Sequence, residues 1–234
     1  MINEIKQDLR KLANSDKIAD YQRFFKTGKG QYGEGDVFIG LTVPNNRIVA
    51  KKYANASDVD LRQLLSSKIH DERLCALLIL VDQFKKGDER KRKAIVDFYL
   101  ENTKHINNWD LVDLSACRIL GTYLLDKGKD ERKILYELVR SKDLWEKRIA
   151  IISTLAFIAK NQFTDTFKIS EILLNDTHDL IHKAVGWMLR EIGKKDQAVE
   201  EEFLQKHYKT MPRTMLRYAI EKFEEKKRLS YLKK

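Results

Sequence analysis

The chain has 234 residues, of which 43% are hydrophobic and 34% are charged, and its formal net charge is +10. This balance excludes a disordered chain, and no stretch approaches the roughly 18 consecutive apolar residues that span a membrane. The positive excess predicts a polyanionic partner. We expect a cytoplasmic protein without disulfides, because Cys75 and Cys117 both lie in apolar helical patterns.

The N-terminal part of the sequence predicts helices followed by a long loop. Within residues 1–25, apolar side chains recur at helical spacing, for example Ile5 and Leu9. Residues 27–44 hold five of the ten glycines and predict a glycine-rich loop, with a short extended piece at residues 37–39. We expect the helical pattern to resume after this loop.

From residue 45 onward the sequence repeats. Five segments share a polar start followed by apolar residues at i, i+3, i+4 and i+7, and shorter amphipathic helices separate them. These segments begin at His70, Asn107, Asp143, Thr177 and Met211. The spacing is typical of stacked antiparallel helix pairs. We therefore predict an all-α, HEAT-like helical-repeat solenoid, curved, with a concave basic face, forming one domain over residues 1–234.

One polar position recurs just before the apolar stripe of each segment. Its members are Arg73, Asp113, Arg148, Lys183 and Arg217, which lie 40, 35, 35 and 34 residues apart. Equivalent residues of a repeat array form a column on one face, so this column would be mostly cationic and would suit phosphate groups. The residues from Lys206 to Lys234 add ten Lys or Arg against three Glu. The alternative for both features is a solvated helix face.

Asp113 is the exception in this column, since a carboxylate there would repel DNA phosphates. One explanation is an Asp in the first turn of a helix, where it complements the helix dipole. The other is a catalytic role. Trp109 lies four residues before Asp113 and shares its helix face, and Trp187 similarly shares a face with Lys183 and Arg190.

These residues carry a family resemblance. The run WDLVD at residues 109–113, Arg148 in WEKRIA, and Trp187 with Arg190 in AVGWMLREIG resemble the AlkD family of HEAT-like DNA glycosylases. The resemblance implies hydrolytic excision of N3- and N7-alkylpurines from double-stranded DNA, with the lesion largely stacked and an abasic site as product. It implies that Asp113 is the catalytic carboxylate, Arg148 its neighbouring cation, and Trp109 and Trp187 the aromatic walls. The cationic column, together with Arg190 beside Trp187, predicts the DNA-binding residues Arg73, Lys183, Arg190 and Arg217.

Several alternatives and expectations accompany this interpretation. The family often adds an aromatic residue from the second helix, for which Phe24, Phe25 and Tyr32 are the candidates here. A non-catalytic HEAT-like protein that binds distorted or branched DNA is the main rival, and a protein–protein scaffold is the third. We expect a monomer with no cofactor and no membrane association. We also expect no metal site, because the pair formed by His178 and His182 has no evident third ligand.

Overall fold

The computed structural model describes residues 1–233 and is mainly helical. In that range the only β-type pairing is an isolated parallel bridge between Val37 and Ile69, and no helix is long and apolar enough to cross a membrane. Lys234, the end of the predicted domain and of the basic tail, lies outside the described residues. The chain divides into two compact units, Met1–Ser115 and Ala116–Lys234. The expectation of a single domain stays a prediction.

The first unit is organised around one long buried helix. Its helices are α1 (Ile2–Lys11), α2 (Ile18–Phe24), α3 (Val43–Lys52), α4 (Asp58–Leu65), α5 (His70–Lys86), α6 (Glu89–Glu101) and α7 (Trp109–Ser115), with short 3₁₀ turns at Ser15–Lys17 and Thr103–His105. Helix α5 packs against α3, α4, α6 and α7. Every residue from His70 to Leu80 is buried, because the apolar run after Arg73 faces neighbours on all sides.

The second unit continues the series of helices. It begins with a π-helical turn at Cys117–Gly121 and contains α8 (Thr122–Leu124), α9 (Lys129–Leu138), α10 (Leu144–Ser153), α11 (Leu155–Ile158), α12 (Thr164–Leu173), α13 (Asp179–Gly193), α14 (Gln197–His207), α15 (Arg213–Ala219), a 3₁₀ turn at Ile220–Lys222 and α16 (Glu225–Leu232). Helix α13 is central here and packs against α10, α12, α14 and α15.

The predicted repeat is present as a series of helix starts. Helices α5, α7, α10, α13 and α15 begin at His70, Trp109, Leu144, Asp179 and Arg213, which are 34 to 39 residues apart. The polar residue before two of these helices acts as the N-cap, since the side chains of Asp143 and His178 accept backbone N–H groups of the first turn. The all-α helical-repeat fold is therefore confirmed.

Glycine allows helices of the second unit to approach closely. A Cβ atom at Gly186 of α13 would lie 2.4 Å from the carbonyl oxygen of Met215 in α15. Gly121 has the same relation to the carbonyl oxygen of Ser153, at 2.2 Å. Any larger residue would separate these helix pairs and lose apolar contact.

The glycine-rich loop is ordered by the helices around it. It folds back over the end of α2, where the N–H of Gly33 donates to the carbonyl of Lys26 at 3.1 Å. A Cβ at Gly33 would lie 2.4 Å from the carbonyl oxygen of Phe25, so only glycine fits there. Val37 supplies the predicted extended piece through its bridge to Ile69. The loop thereby places Asp36, the residue before Val37, at the N-terminus of α5.

Candidate functional site

Helix α7 carries Trp109 and Asp113 one turn apart, and both side chains are partly exposed. The helix begins at Trp109, so the acidic residue of its first turn is Asp110. The dipole interaction is strong only within that first turn. The helix-dipole explanation therefore fits Asp110 better than Asp113. The charge of Asp113 also reaches Tyr99, where it adds to burial in raising the pKa of the phenol.

Trp109 belongs to a group of aromatic rings that we call the ring cluster, made of Phe24, Phe25, Phe38, His70 and Trp109. Phe25 stacks on Trp109 with ring centroids 5.3 Å apart and planes 12° apart, and Phe24 meets the indole edge-on at 5.7 Å. Phe25 also stacks on Phe38 at 4.9 Å, and Phe38 stacks on His70 at 4.5 Å. Phe24 is 62% exposed. The ring cluster thus runs from a buried imidazole to an exposed phenyl ring.

A network of charged side chains lies beneath the ring cluster. His70 is placed between two carboxylates, with Nδ1 3.1 Å from Asp36 and Nε2 2.8 Å from Asp110. Asp36 also accepts hydrogen bonds from Arg73 at 2.6 Å and from the Asn108 amide at 3.1 Å. Burial opposes a charge on His70, but the ion pair with Asp110 and the two hydrogen bonds raise its pKa to about 9. His70 is therefore cationic at neutral pH.

The network corrects the prediction made for Arg73. Its side chain is buried, and its guanidinium donates to Asp36 and to the carbonyl of Ser67 at 2.9 Å. A guanidinium enclosed in this way cannot reach a phosphate on the surface. Sequence periodicity placed Arg73 in the cationic column because the pattern shows a helix face but not what covers it. Arg73 instead neutralises Asp36 inside the first unit.

In the second unit, Arg148 is also buried. One of its amino groups donates to the carbonyl of Leu180 at 2.7 Å, which connects α10 to the first turn of α13. The side chain is only 5% exposed, so its charge is held in one place. Trp145, the second residue of α10, is buried as well and forms part of the core.

Helix α13 presents Lys183, Trp187 and Arg190 on one face, as their spacing predicted, and none of the three is fully buried. The Trp187 indole N–H donates to Glu191 at 3.1 Å, which holds the ring along the helix. Arg190 is less accessible than expected, because it pairs with Glu221 and lies 3.6 Å from Glu191. Lys183 pairs with Asp179 on the same helix at 2.8 Å.

The remaining candidates are Arg217 and the histidine pair at residues 178 and 182. Arg217 is exposed on α15 and forms no ion pair with any residue that the structure describes. One ring nitrogen of each of His178 and His182 is occupied: Nδ1 of His178 accepts the Leu180 N–H and caps α13, and Nε2 of His182 lies 2.6 Å from the carbonyl oxygen of Asp176. Within residues 1–233 no three potential ligands cluster in a geometry suited to a metal ion.

The sequence profile of the family described as DNA alkylation repair enzymes matches residues 5–223. The chain belongs to this family. Its fold is similar to a solved structure described as a predicted DNA alkylation repair enzyme from Enterococcus faecalis, with a TM-score of 0.71 and 16% identity, covering 91% of this chain and 97% of that one. It is also similar to AlkD2 from Streptococcus mutans, with a TM-score of 0.57 and 18% identity over 88% and 97% of the two chains. No curated protein matches the sequence.

For this member of the DNA alkylation repair enzyme family, sequence reasoning left the N-terminal aromatic unassigned and missed the charged network. Phe24 and Phe25 both contact Trp109, whereas the Tyr32 hydroxyl is 3.5 Å from the carbonyl of Phe24. The available signal for the network was the run HDER at residues 70–73, four polar residues directly before an apolar stretch. Such a run resembles an exposed helix start, and only the neighbouring segments show that it is buried.

The raised pKa of His70 predicts a pH dependence of stability. The folded-state pKa of about 9 exceeds the ordinary value of 6.5, so the stabilisation is complete below about pH 6.5 and is lost as the pH rises through 9. At about 1.4 kcal/mol per pKa unit, the free energy of unfolding should fall by up to about 3 kcal/mol across this range. Denaturant unfolding at several pH values measures this loss.

The control for this measurement is His70→Gln. Burial raises the pKa of Glu200 to about 9, which gives a slope of the same sign in both proteins. The difference between the two proteins therefore isolates His70. Parallel stability profiles from pH 6.5 to 9.5 would show that His70 does not carry the charge assigned to it.

Proposed function

We propose that this chain is a DNA glycosylase that removes N3- and N7-alkylpurines from double-stranded DNA by hydrolysis of the N-glycosidic bond, leaving an abasic site. One observation carries the proposal. Asp113 lies one turn from Trp109 on α7, beyond the dipole-stabilised first turn, and both side chains are partly exposed. The exposed ring of Phe24 contacts the Trp109 indole. A carboxylate next to partly exposed aromatic rings suits a positively charged sugar.

A single carboxylate is sufficient for this reaction. Ordinary glycoside hydrolysis needs a second carboxyl group to protonate the leaving group. A purine alkylated at N3 or N7 already carries a positive charge, so it departs as a neutral base without a general acid. What remains to be stabilised is the positive charge that develops on the sugar. An ionised Asp113 stabilises that charge and orients a water molecule for attack at C1′.

The aromatic and cationic residues have complementary roles in the proposal. The indoles of Trp109 and Trp187 attract the cationic lesion and sugar through their faces, and Phe24 extends the surface beside Trp109. Lys183, Arg190 and Arg217 contact phosphates, with Arg217 the most accessible of the three. Buried Arg148 supplies a fixed positive charge rather than a mobile phosphate contact, since its guanidinium is held at Leu180.

The indoles can be tested one at a time. Trp109→Ala and Trp187→Ala should each slow excision by about 2- to 30-fold, which corresponds to the loss of one cation–π contact. Single-turnover rates on methylated DNA measure the effect. Trp145→Phe is the matched control, because the buried Trp145 should affect thermal stability and not the rate. Unchanged rates in both alanine variants would exclude the indoles from the reaction.

The function itself is tested with methylated genomic DNA. The protein should release 3-methyladenine and 7-methylguanine as free bases, detected by chromatography, and should leave abasic sites that hot alkali cleaves. Unmethylated DNA is the control and should release nothing. Binding to the methylated DNA without release of any base would overturn the proposal and favour the non-catalytic DNA-binding alternative.

A further inference from the structure

The N-terminus of α5 holds several separate segments of the first unit together. Its first four residues are polar, yet none is more than 3% exposed. His70 contacts Asp36 and Asp110, Asp71 accepts the N–H groups of Ile39 and Leu41, Glu72 pairs with Lys6 and Arg10, and Arg73 pairs with Asp36. Of these four, His70 is the one that forms a hydrogen bond with a described residue of α7, and α7 carries Trp109 and Asp113.

The geometry around His70 requires both ring nitrogens to donate. Each nitrogen faces a carboxylate oxygen, and an ionised carboxylate only accepts hydrogen bonds. A neutral imidazole could satisfy only one of the two. The charged groups that face the ring are Asp36 from the loop, Asp110 from α7, and Asp71 and Arg73 from its own helix. Three carboxylates and one guanidinium therefore face the ring, and their net negative charge favours the protonated imidazole.

Two routes connect His70 to Trp109. The first is polar: His70 binds Asp110, the residue next to Trp109, and Asp36 holds Asn108, whose side-chain oxygen accepts the backbone N–H of Trp109 at 2.8 Å. The second route is through rings, because Phe25 lies 5.0 Å from His70 and stacks on Trp109. The polar route contacts the first residues of α7, and the ring route contacts the indole itself.

We propose that His70 is a positioning residue for Trp109, which holds the indole and the start of α7 in place through Asp110, Asn108 and Phe25. This inference rests on the proposed function and adds to it a residue that does not touch DNA. The imidazole is 2% exposed, so it acts only through its neighbours. Without it, Asp36 and Asp110 would repel each other, and the ring cluster would lose its buried end.

The test compares variants of His70 with a matched neighbour. His70→Gln keeps an amide donor but removes the ring and the charge, and His70→Phe keeps a ring but removes the charge and both hydrogen bonds. Glu72→Gln is the control, because Glu72 is equally buried on the same helix but holds α1 rather than α7. Asp110→Asn, at a side chain 17% exposed, is the variant to use if the His70 variants do not fold.

Two readouts separate positioning from general stability. The single-turnover rate of excision should fall by about tenfold in the His70 variants. This is less than the roughly 10²-fold cost of displacing a catalytic group by 1 Å. The affinity for DNA should change less than twofold. In a Trp145→Phe, Trp187→Phe background, where Trp109 is the remaining indole, the same changes should shift its fluorescence to longer wavelength and increase its quenching by acrylamide. Asp110→Asn should move both readouts in the same direction.

Two outcomes would overturn the proposal. The first is parental excision and parental Trp109 fluorescence in the His70 variants, or in Asp110→Asn if those do not fold. The second is an equal change of both readouts in Glu72→Gln, which would show only a loss of stability. The fluorescence readout needs no activity. Failure of the parent protein to release any base would therefore refute the proposed function, and fluorescence would still decide the role of His70.

Discussion

Replacing Asp113 by Asn should slow base excision by about 10²–10³-fold, or roughly 3–4 kcal/mol, because one electrostatic contact to the developing sugar charge is lost. The substitution keeps the size of the side chain and most of its hydrogen-bonding capacity. DNA affinity should hold or rise, since a repulsion toward phosphate has been removed. Single-turnover release of 7-methylguanine measures the rate, and binding to the same duplex measures the affinity.

The opposite movement of rate and affinity distinguishes an enzyme from a DNA-binding protein. A protein that only binds DNA should show the affinity change alone. Asp97→Asn is the control, because Asp97 is an exposed carboxylate of the first unit that pairs with Lys93 on α6. It should change neither quantity. If the Asp113→Asn variant released 7-methylguanine as fast as the parent, the proposed mechanism would be wrong.

DNA affinity should fall steeply as salt concentration rises and should depend little on sequence. Each neutralised phosphate contributes about −0.9 to the slope of log affinity against log salt. For three phosphates, one each at Lys183, Arg190 and Arg217, raising the salt from 50 to 200 mM should weaken binding by roughly 40-fold. Fluorescence anisotropy with an unmodified duplex measures this dependence, and a scrambled duplex should give the same slope.

The salt dependence also tests individual residues. Lys183→Gln and Arg217→Gln should each make the slope shallower by about one unit, because each is expected to neutralise one phosphate. Lys168→Gln provides a matched control, since Lys168 is an exposed lysine of the same unit on α12. A flat response to salt in the parent would remove the nucleic-acid interpretation. If Lys168→Gln made the slope shallower and the other two substitutions did not, the DNA-contact surface would not be the one that carries Lys183 and Arg217.

The helical repeat could be predicted because its signal is local. Apolar residues at i, i+3, i+4 and i+7 indicate which side of each helix is buried, and a period near 35 residues indicates that the helices stack in series. The placement of Trp109 and Asp113 on one face follows from the same spacing, and the helix start at Trp109 agrees with it. Caps such as Asp143 are equally local, since they bond to residues two and three positions away.

The roles of Arg73 and His70 could not be obtained in this way. Sequence alone determined the repeat, the helix faces and the candidate carboxylate, because these depend on residues within a few turns of one another. Only the tertiary structure decided that Arg73 neutralises Asp36 and that His70 lies between Asp36 and Asp110, from 34 to 40 residues away along the chain. A polar residue at a helix start has the same local pattern whether water or another segment covers it. Its burial, its charge and its partners depend on which distant segments pack against it.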